Sequence, residues 1–191
     1  MSREPAIGNI VIITAREAKE VLLLHKPPYG EIDIERAKIG KRPRIGIGKW
    51  GCPGGGKEEG ETDVQAAQRE LFQETNLSFP LVIFRKIGML KGFRQTDNVE
   101  PIWNVTIYSV SMLPGMFNHI KIDPREHDKS CWFRTNRYPD EMPWGDMIES
   151  DKKWLPMALG GMARDIEVSV VFKGMTEEVL SCDVREAGVK K

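Results

Sequence analysis

The sequence predicts a mixed α/β (α+β) fold, a mixed β-sheet sandwiched between helices. Short apolar runs, β-branched at residues 8–15, recur along the chain at 8–15, 20–24 and 102–112. Two segments with helical character, one from Val64 and one from Asp151, fall between such runs. Strands and helices that interleave in this way build a mixed sheet covered by helices. The length of 191 residues is that of a single domain, 1–191, with a substantial core.

The elements follow in order. Residues 8–15 (GNIVIITA) read as a strand, a turn is expected around Glu17-Ala18, and residues 20–24 read as its hairpin partner. Pro27-Pro28 and Tyr29-Gly30 break structure, and the chain to Lys49 is rich in Arg and Lys and expected as a basic loop over about 27–49. Trp50 returns the chain as a strand. Thr62 is the expected N-cap of a helix from Val64, with Asp63 favoured in its first turn. Residues 81–90 read as a strand, and 91–101 as a polar turn. Residues 102–112 form the clearest strand, whose alternation puts Trp103, Val105 and Ile107 on one face. Residues 131–133 form a short strand, Asp151–Met157 opens a second helix, and residues 166–173 and 179–186 form a closing hairpin through Gly174.

Composition narrows the function. The formal net charge is +0, which argues against duplex nucleic acid as a bulk electrostatic partner. The opening MSREPAIGNIV lacks the basic-then-apolar pattern of a signal peptide, and no apolar run approaches membrane-spanning length. Cys52, Cys131 and Cys182 are odd in number, far apart and without zinc spacing, so a reduced cytoplasmic setting is expected. The oligomeric state is not legible.

The chemistry concentrates between Gly55 and Leu77. Gly54, Gly55, Gly56 and Gly60 allow close approach of a polyphosphate or metal to the main chain. On the following helix Glu70, Gln73 and Glu74 stand at i, i+3 and i+4 and share one face. Two carboxylates and an amide oxygen there suit a hard divalent cation such as Mg²⁺, which completes its shell with water and phosphate.

This stretch resembles the Nudix hydrolase signature, Gly-x5-Glu-x7-Arg-Glu-aliphatic-x-Glu-Glu-x-Gly-aliphatic. Gly55, Glu61, Arg69, Glu70, Leu71, Glu74 and Leu77 match it. Gln73 replaces a Glu and removes one negative charge, and Asn76 replaces a Gly with a residue that tolerates the same left-handed helix ending. The resemblance implies a central mixed sheet between helices, and hydrolysis of a nucleoside diphosphate linked to another moiety. It also marks the basic segment at 27–49 as an insertion, either a solvated surface loop or a lid over an acidic ligand. Trp-Phe at 132–133, Pro-Trp-Gly-Asp-Met at 143–147 and Asp-Lys-Lys-Trp-Leu-Pro at 151–156 are similar in order and spacing to the eukaryotic 8-oxo-dGTP diphosphatases, which are MutT-like.

That resemblance implies site residues. Mg²⁺ (or Mn²⁺) is expected on Glu70, Glu74 and Gln73, with the Gly55 carbonyl and Glu126 helping. Glu126 is alternatively part of a solvated charged loop, with His127 and Asp128 nearer the Trp-Phe strand. Glu74 or Glu70 is the expected water activator. Arg69 is expected to hold Glu70 or Glu74 by a bidentate pair, with Glu61 in a similar supporting role. Lys26 either faces substrate phosphate or ends its strand as an ordinary charge. Asp151 matches a purine-binding aspartate of the subfamily, or is the N-cap of its helix. Ser150, Ile148 and Gly51 replace other residues of that pocket. Trp103 either supplies the missing stacking surface or is core, and Asn9 and Phe93 are further candidates for contacting the base. Three functions are weighed. The first is an oxidised-purine nucleoside triphosphatase for nucleotide-pool sanitation, releasing nucleoside monophosphate and pyrophosphate. The second is a Nudix hydrolase of a dinucleoside polyphosphate, nucleotide sugar or RNA 5′ end. The third is a non-catalytic nucleotide-binding module.

Overall fold

The computed structural model describes residues 4–15, 19–28, 31–39, 45–96, 100–113, 116, 119–135, 141–160, 165–174 and 178–187. The expected mixed sheet is present. Its strands are β1 (Ala6–Ala15), β2 (Glu20–His25), β3 (Trp50–Gly51), β4 (Arg85–Arg94), β5 (Trp103–Met112), β6 (Lys129–Arg134), β7 (Ile166–Phe172) and β8 (Val179–Glu186). The spatial order is β3-β2-β1-β5-β4-β7-β8, with β6 on the other edge of β2. β1 runs parallel to β5 and β4 parallel to β7, while the remaining pairs are antiparallel. The helices are α1 (Glu31–Lys38), α2 (Asp63–Thr75) and α3 (Asp151–Leu159).

Alternation along the strands gives the sheet two apolar faces. One carries Val11, Ile13, Leu22, Leu24, Tyr108 and Val110 and packs against Ala67 and Leu71 of α2. The other carries Ile12, Val21, Leu23, Ile107, Val168 and Val170 and packs against Trp154 and Leu155 of α3. Leu71 and Leu155 are fully buried, and each such side chain contributes about 1.5–3 kcal/mol.

A fork in the sheet makes room for the glycine loop. β2 pairs with β1 only over Glu20–Leu22, and then pairs with β3 at Leu24 and His25. Where β1 and β2 separate, the chain after β3 runs into the gap and takes over the free edge of β1. Val11 N–H donates to the Pro53 carbonyl at 2.8 Å, Asn9 N–H to the Gly55 carbonyl at 2.9 Å, and Lys57 N–H to the Ile7 carbonyl at 3.0 Å. The packing is close enough that a Cβ on Gly54, whose φ is +153°, would lie 2.2 Å from the Asn9 carbonyl oxygen.

α2 starts and stops where its sequence directs. Thr62 Oγ1 accepts from the Gln65 N–H, and the Gln65 side chain accepts from the Thr62 N–H at 2.8 Å, a reciprocal capping box. Asn76 ends the helix in the left-handed region at φ 58°, its N–H donating to the Phe72 carbonyl.

Three local expectations are corrected. The segment 27–49 is not loop throughout, since it contains α1. That helix carries Glu31, Asp33 and Glu35 as well as Arg36 and Lys38, so it is not the basic part of the segment, and Lys41, Arg42 and Arg44 lie outside the described residues. Residues 81–83 form a short 3₁₀ helix rather than the start of a strand. They follow Pro80 at the protein surface, where Val82 is 87% exposed, so no sheet partner rewards their β-propensity. β4 instead begins at Arg85 and runs on to Arg94, through part of the expected turn. The turn expected at Glu17-Ala18 lies outside the described residues.

Candidate active site

Arg69 is the hub of the glycine loop. Its Nε donates to Glu61 Oε1 at 2.7 Å and its Nη2 to Glu61 Oε2 at 3.0 Å. Nη2 also donates to the Gly56 carbonyl at 2.8 Å, and Nη1 to Glu70 Oε1 at 2.7 Å and to Gln73 Oε1 at 3.1 Å. The bidentate pair is therefore with Glu61, and the expected bidentate grip on Glu70 or Glu74 is not what the structure places there. These hydrogen bonds from Arg69 hold the Glu61 carboxyl down at about 2.

Glu74 sits deeper. It is 5% exposed, its Oε2 accepts the Gly54 N–H at 2.8 Å, and its Oε1 stands 2.9 Å from His127 Nε2. His127 is 2% exposed, and its Nδ1 has no hydrogen-bond partner. Ligand atoms of Glu74, Glu126 and His127 lie within 4.8 Å of one another. Burial raises the Glu70 carboxyl above its ordinary range, opposed by Arg69 and reinforced by the Glu74 and Glu126 carboxylates. Gly55 lies against Glu70, so that a Cβ there would sit 2.4 Å from Glu70 Cδ. Three crowded carboxylates and an imidazole with an orphaned nitrogen form a donor set that fits a divalent cation. A cavity of about 630 Å³ opens beside them, lined among others by Glu70, Phe72, Gln73, Lys121, Arg125 and Glu126.

Other sequence candidates are placed differently. The Gly55 carbonyl accepts from both the backbone N–H of Asn9 at 2.9 Å and its side-chain Nδ2 at 3.2 Å. That carbonyl is turned toward β1, where the buried Asn9 holds it through Nδ2, while Asn9 Oδ1 is buried without a hydrogen-bond partner. Gln73 directs its amide oxygen at Arg69. Phe93 pairs with Val171 on the strand positions opposite in face to Gly92 and Trp103, which separates it from the α3 side. Trp103 packs edge-on against Phe172 at a centroid distance of 5.0 Å, over Gly92, whose missing Cβ leaves space for the indole.

The α3 side carries a second polar centre. Asp151 Oδ1 accepts from Trp154 Nε1 at 2.9 Å and from Ser150 Oγ at 3.3 Å. The carboxylate is thus bound by an indole N–H, and Ser150 occupies the N-cap position. Burial raises the Asp151 carboxyl to about 6 despite these bonds and the nearby Lys26 charge. The partly buried Cys52 thiol is pushed up by desolvation and by Asp151. Lys26 Nζ donates to the Ile45 carbonyl at 3.1 Å, and Gly46 packs on Ile148. The return arm of the 27–49 segment therefore borders this centre. One run of chain, Trp50 to Gly54, connects the two centres: Trp50 and Cys52 pack on the α3 side, and the Gly54 N–H reaches Glu74 on the α2 side.

Sequence reasoning did not single out His127 as the partner of Glu74. Its only signal was an acid-rich, histidine-containing stretch ahead of β6. The polar contacts of Asp63, with Lys57 Nζ at 2.9 Å and Thr106 Oγ1 at 3.3 Å, were also unforeseen.

Fold and site define a class: a mixed-sheet protein in which a glycine loop and an acidic helix form a donor set that fits a divalent cation. The NUDIX domain model matches residues 5–156, and the chain belongs to this family as a MutT-like Nudix hydrolase. It is 30% identical over 128 residues to the oxidized purine nucleoside triphosphate hydrolase of Mus musculus, covering 65% of this chain and 72% of the mouse protein. Identity to the protein of that name from Danio rerio is 32% over 127 residues, with the same coverage. The fold matches the crystal structure of a MutT protein from Bacillus halodurans with a TM-score of 0.62 at 18% identity, covering 94% of this chain and 97% of the other. Among the described residues no helix is long and apolar enough to cross a membrane.

Proposed function

We propose that this Nudix hydrolase cleaves nucleoside triphosphates to nucleoside monophosphate and pyrophosphate, and that oxidised purine nucleotides such as 8-oxo-dGTP are its preferred class. The observation that carries the base preference is Asp151. Its carboxyl group is fixed by Trp154 on the α3 side of the loop whose other side holds Glu74. With its pKa raised to about 6, this group accepts a hydrogen bond from a base edge when ionised and donates one when protonated. The names of the mouse and zebrafish relatives support the same class. We read the whole chain, 1–191, as one such domain carrying the 27–49 insertion.

Glu74, Glu126 and His127 would hold the divalent cation, Mg²⁺ or Mn²⁺ in the first instance. When bound, such an ion neutralises phosphate charge and lowers the pKa of a water. Glu74 already has both oxygens engaged, by Gly54 N–H and His127. Glu70, whose burial raises its proton affinity, is therefore assigned as the base that takes the proton from the attacking water. Arg69 and Glu61 position Glu70. Lys26 and Lys121 are assigned to the phosphate chain. The first test is pyrophosphate release across 8-oxo-dGTP, 2-oxo-dATP, the ordinary dNTPs, ADP-ribose and diadenosine polyphosphates. Glu70→Gln and Glu74→Gln, each checked for fold and nucleotide binding, are the controls. Preference for an oxidised purine triphosphate with loss of turnover in both variants is expected. Equal rates on all purine triphosphates would refute the substrate assignment.

A second reading is favoured by the cavity of about 630 Å³ outside α2, where the half-exposed Phe72 adjoins Lys121 and Arg125. That cavity has room for a second nucleoside, as in a dinucleoside polyphosphate, and the diadenosine arm of the panel tests it.

A further inference from the structure

The acidic face of α2 is one charge short, because Gln73 stands where the Nudix signature has Glu. Its amide oxygen is occupied by Arg69 Nη1 at 3.1 Å. On the far side of Glu74 the chain supplies a different donor. We propose that His127 is a nitrogen ligand of the divalent cation. The centre is then a mixed carboxylate–imidazole site, and its metal preference moves from Mg²⁺ toward first-row transition ions. This rests on reading the Glu74 face as a metal centre.

The argument begins with the imidazole itself. His127 is 2% exposed, and its Nε2 is 2.9 Å from Glu74 Oε1. If Nε2 carries the proton, it donates to Glu74, and the Nδ1 lone pair is buried with no partner. If Nδ1 carries the proton, that N–H is the buried orphan, and the Nε2 lone pair faces a carboxylate lone pair. Each neutral tautomer leaves a lone pair that a cation would satisfy, and a buried polar atom without a partner destabilises the fold. The second tautomer is the one that lets a single ion bridge Glu74 and His127, because the Nδ1 lone pair of the first points away from the Glu74 carboxylate. Position agrees, because one ligand atom each of Glu74, Glu126 and His127 falls within 4.8 Å of the others. One ion can therefore touch all three.

Donor chemistry sets the preference. Mg²⁺ demands hard oxygen ligands in near-ideal octahedral geometry. Imidazole is a better donor to transition ions, whose affinities rise from Mn²⁺ toward Co²⁺ and Ni²⁺. Trading a carboxylate at position 73 for an imidazole at 127 removes charge that favours Mg²⁺ and adds a nitrogen that favours the transition ions.

The test reads the metal, not turnover. Mn²⁺ is bound to the full chain, and nitrogen coupling is sought by pulsed electron paramagnetic resonance. Affinities for Co²⁺ and Mg²⁺ are measured by calorimetric competition. The expected result is imidazole nitrogen coupling in the wild type that is lost in His127→Gln, with the Co²⁺ to Mg²⁺ affinity ratio falling about tenfold or more. The sequence holds three histidines, so His25→Gln and His119→Gln assign the coupling by elimination if His127→Gln does not fold. Bound Mn²⁺ without nitrogen coupling leaves the metal centre standing and overturns the role of His127. Failure to bind any of these ions overturns both.

Discussion

Arg69 grips both carboxylate oxygens of Glu61, at 2.7 Å from Nε and 3.0 Å from Nη2. The remaining donor, Nη1, reaches Glu70 at 2.7 Å. The loop residue Glu61 therefore fixes the orientation of a helix carboxylate through one planar guanidinium. Lysine keeps the charge but cannot make the forked contact. Arg69→Lys is expected to fold and to lose about 100-fold in turnover, the usual cost of misplacing a reacting group by an ångström. Single-turnover kinetics beside a thermal melt check this, and near wild-type turnover would show that the fork does not position Glu70.

Neighbouring glycines should fail in opposite ways. A Cβ on Gly55 would meet the Glu70 carboxyl carbon at 2.4 Å, whereas one on Gly54 would meet the Asn9 backbone carbonyl at 2.2 Å from a φ of +153°. The first obstacle is the end of a side chain that can swing aside, and the second is main chain in the sheet. Gly55→Ala is expected to keep most of its stability and lose metal affinity and turnover. Gly54→Ala is expected to lose several degrees of melting temperature. Melting curves and Mn²⁺ titrations of the two variants decide it, and a reversed pattern would contradict the packing described.

These two residues also show what was legible in the sequence. The Gly55–Leu77 stretch announced itself because its signals are local: a cap at Thr62, carboxylates on one helical face, glycines where the loop must turn. β1, β5, α3 and the β7–β8 hairpin were legible for the same reason. The carbonyl of Gly55 was not, because its direction is set by Asn9, 46 residues away. Nor was the Glu74–His127 contact, which spans 53 residues and depends on where the chain before β6 returns. The 3₁₀ turn at Leu81–Ile83 is not legible either, because local β-propensity does not show that the segment has no sheet partner.

Asn76 offers a test of the family departure that matters least. It ends α2 in the left-handed region at φ 58°, which glycine adopts without a Cβ penalty. Asn76→Gly restores the family residue and relieves part of the left-handed penalty of about 1–2 kcal/mol, so stability is expected to rise with turnover unchanged. Urea unfolding measures it, and a loss of stability would mean that the Asn side chain makes a contact worth more than the strain.

Asp151 carries a prediction with a sign. Its carboxyl is raised from 3.8 to about 6, chiefly by burial, with the hydrogen bonds from Trp154 and Ser150 and the charge of Lys26 pulling the other way. The folded protein therefore holds this proton more tightly than the unfolded chain does. The associated stability is fully present below pH 3.8 and is lost as pH rises through about 6. Asp151→Asn removes that titration while keeping an oxygen for the Trp154 N–H. The difference in unfolding free energy between wild type and variant should therefore move in favour of the variant between pH 4 and pH 6.5, by up to about 3 kcal/mol, and stay level above it. A difference independent of pH would show that the carboxyl titrates normally. If Asp151 also reads the base, the same variant loses discrimination between 8-oxo-dGTP and dGTP at pH 7. Retained discrimination in a variant with the expected stability profile would leave Asp151 as a partly buried structural acid and move base recognition elsewhere on the α3 side.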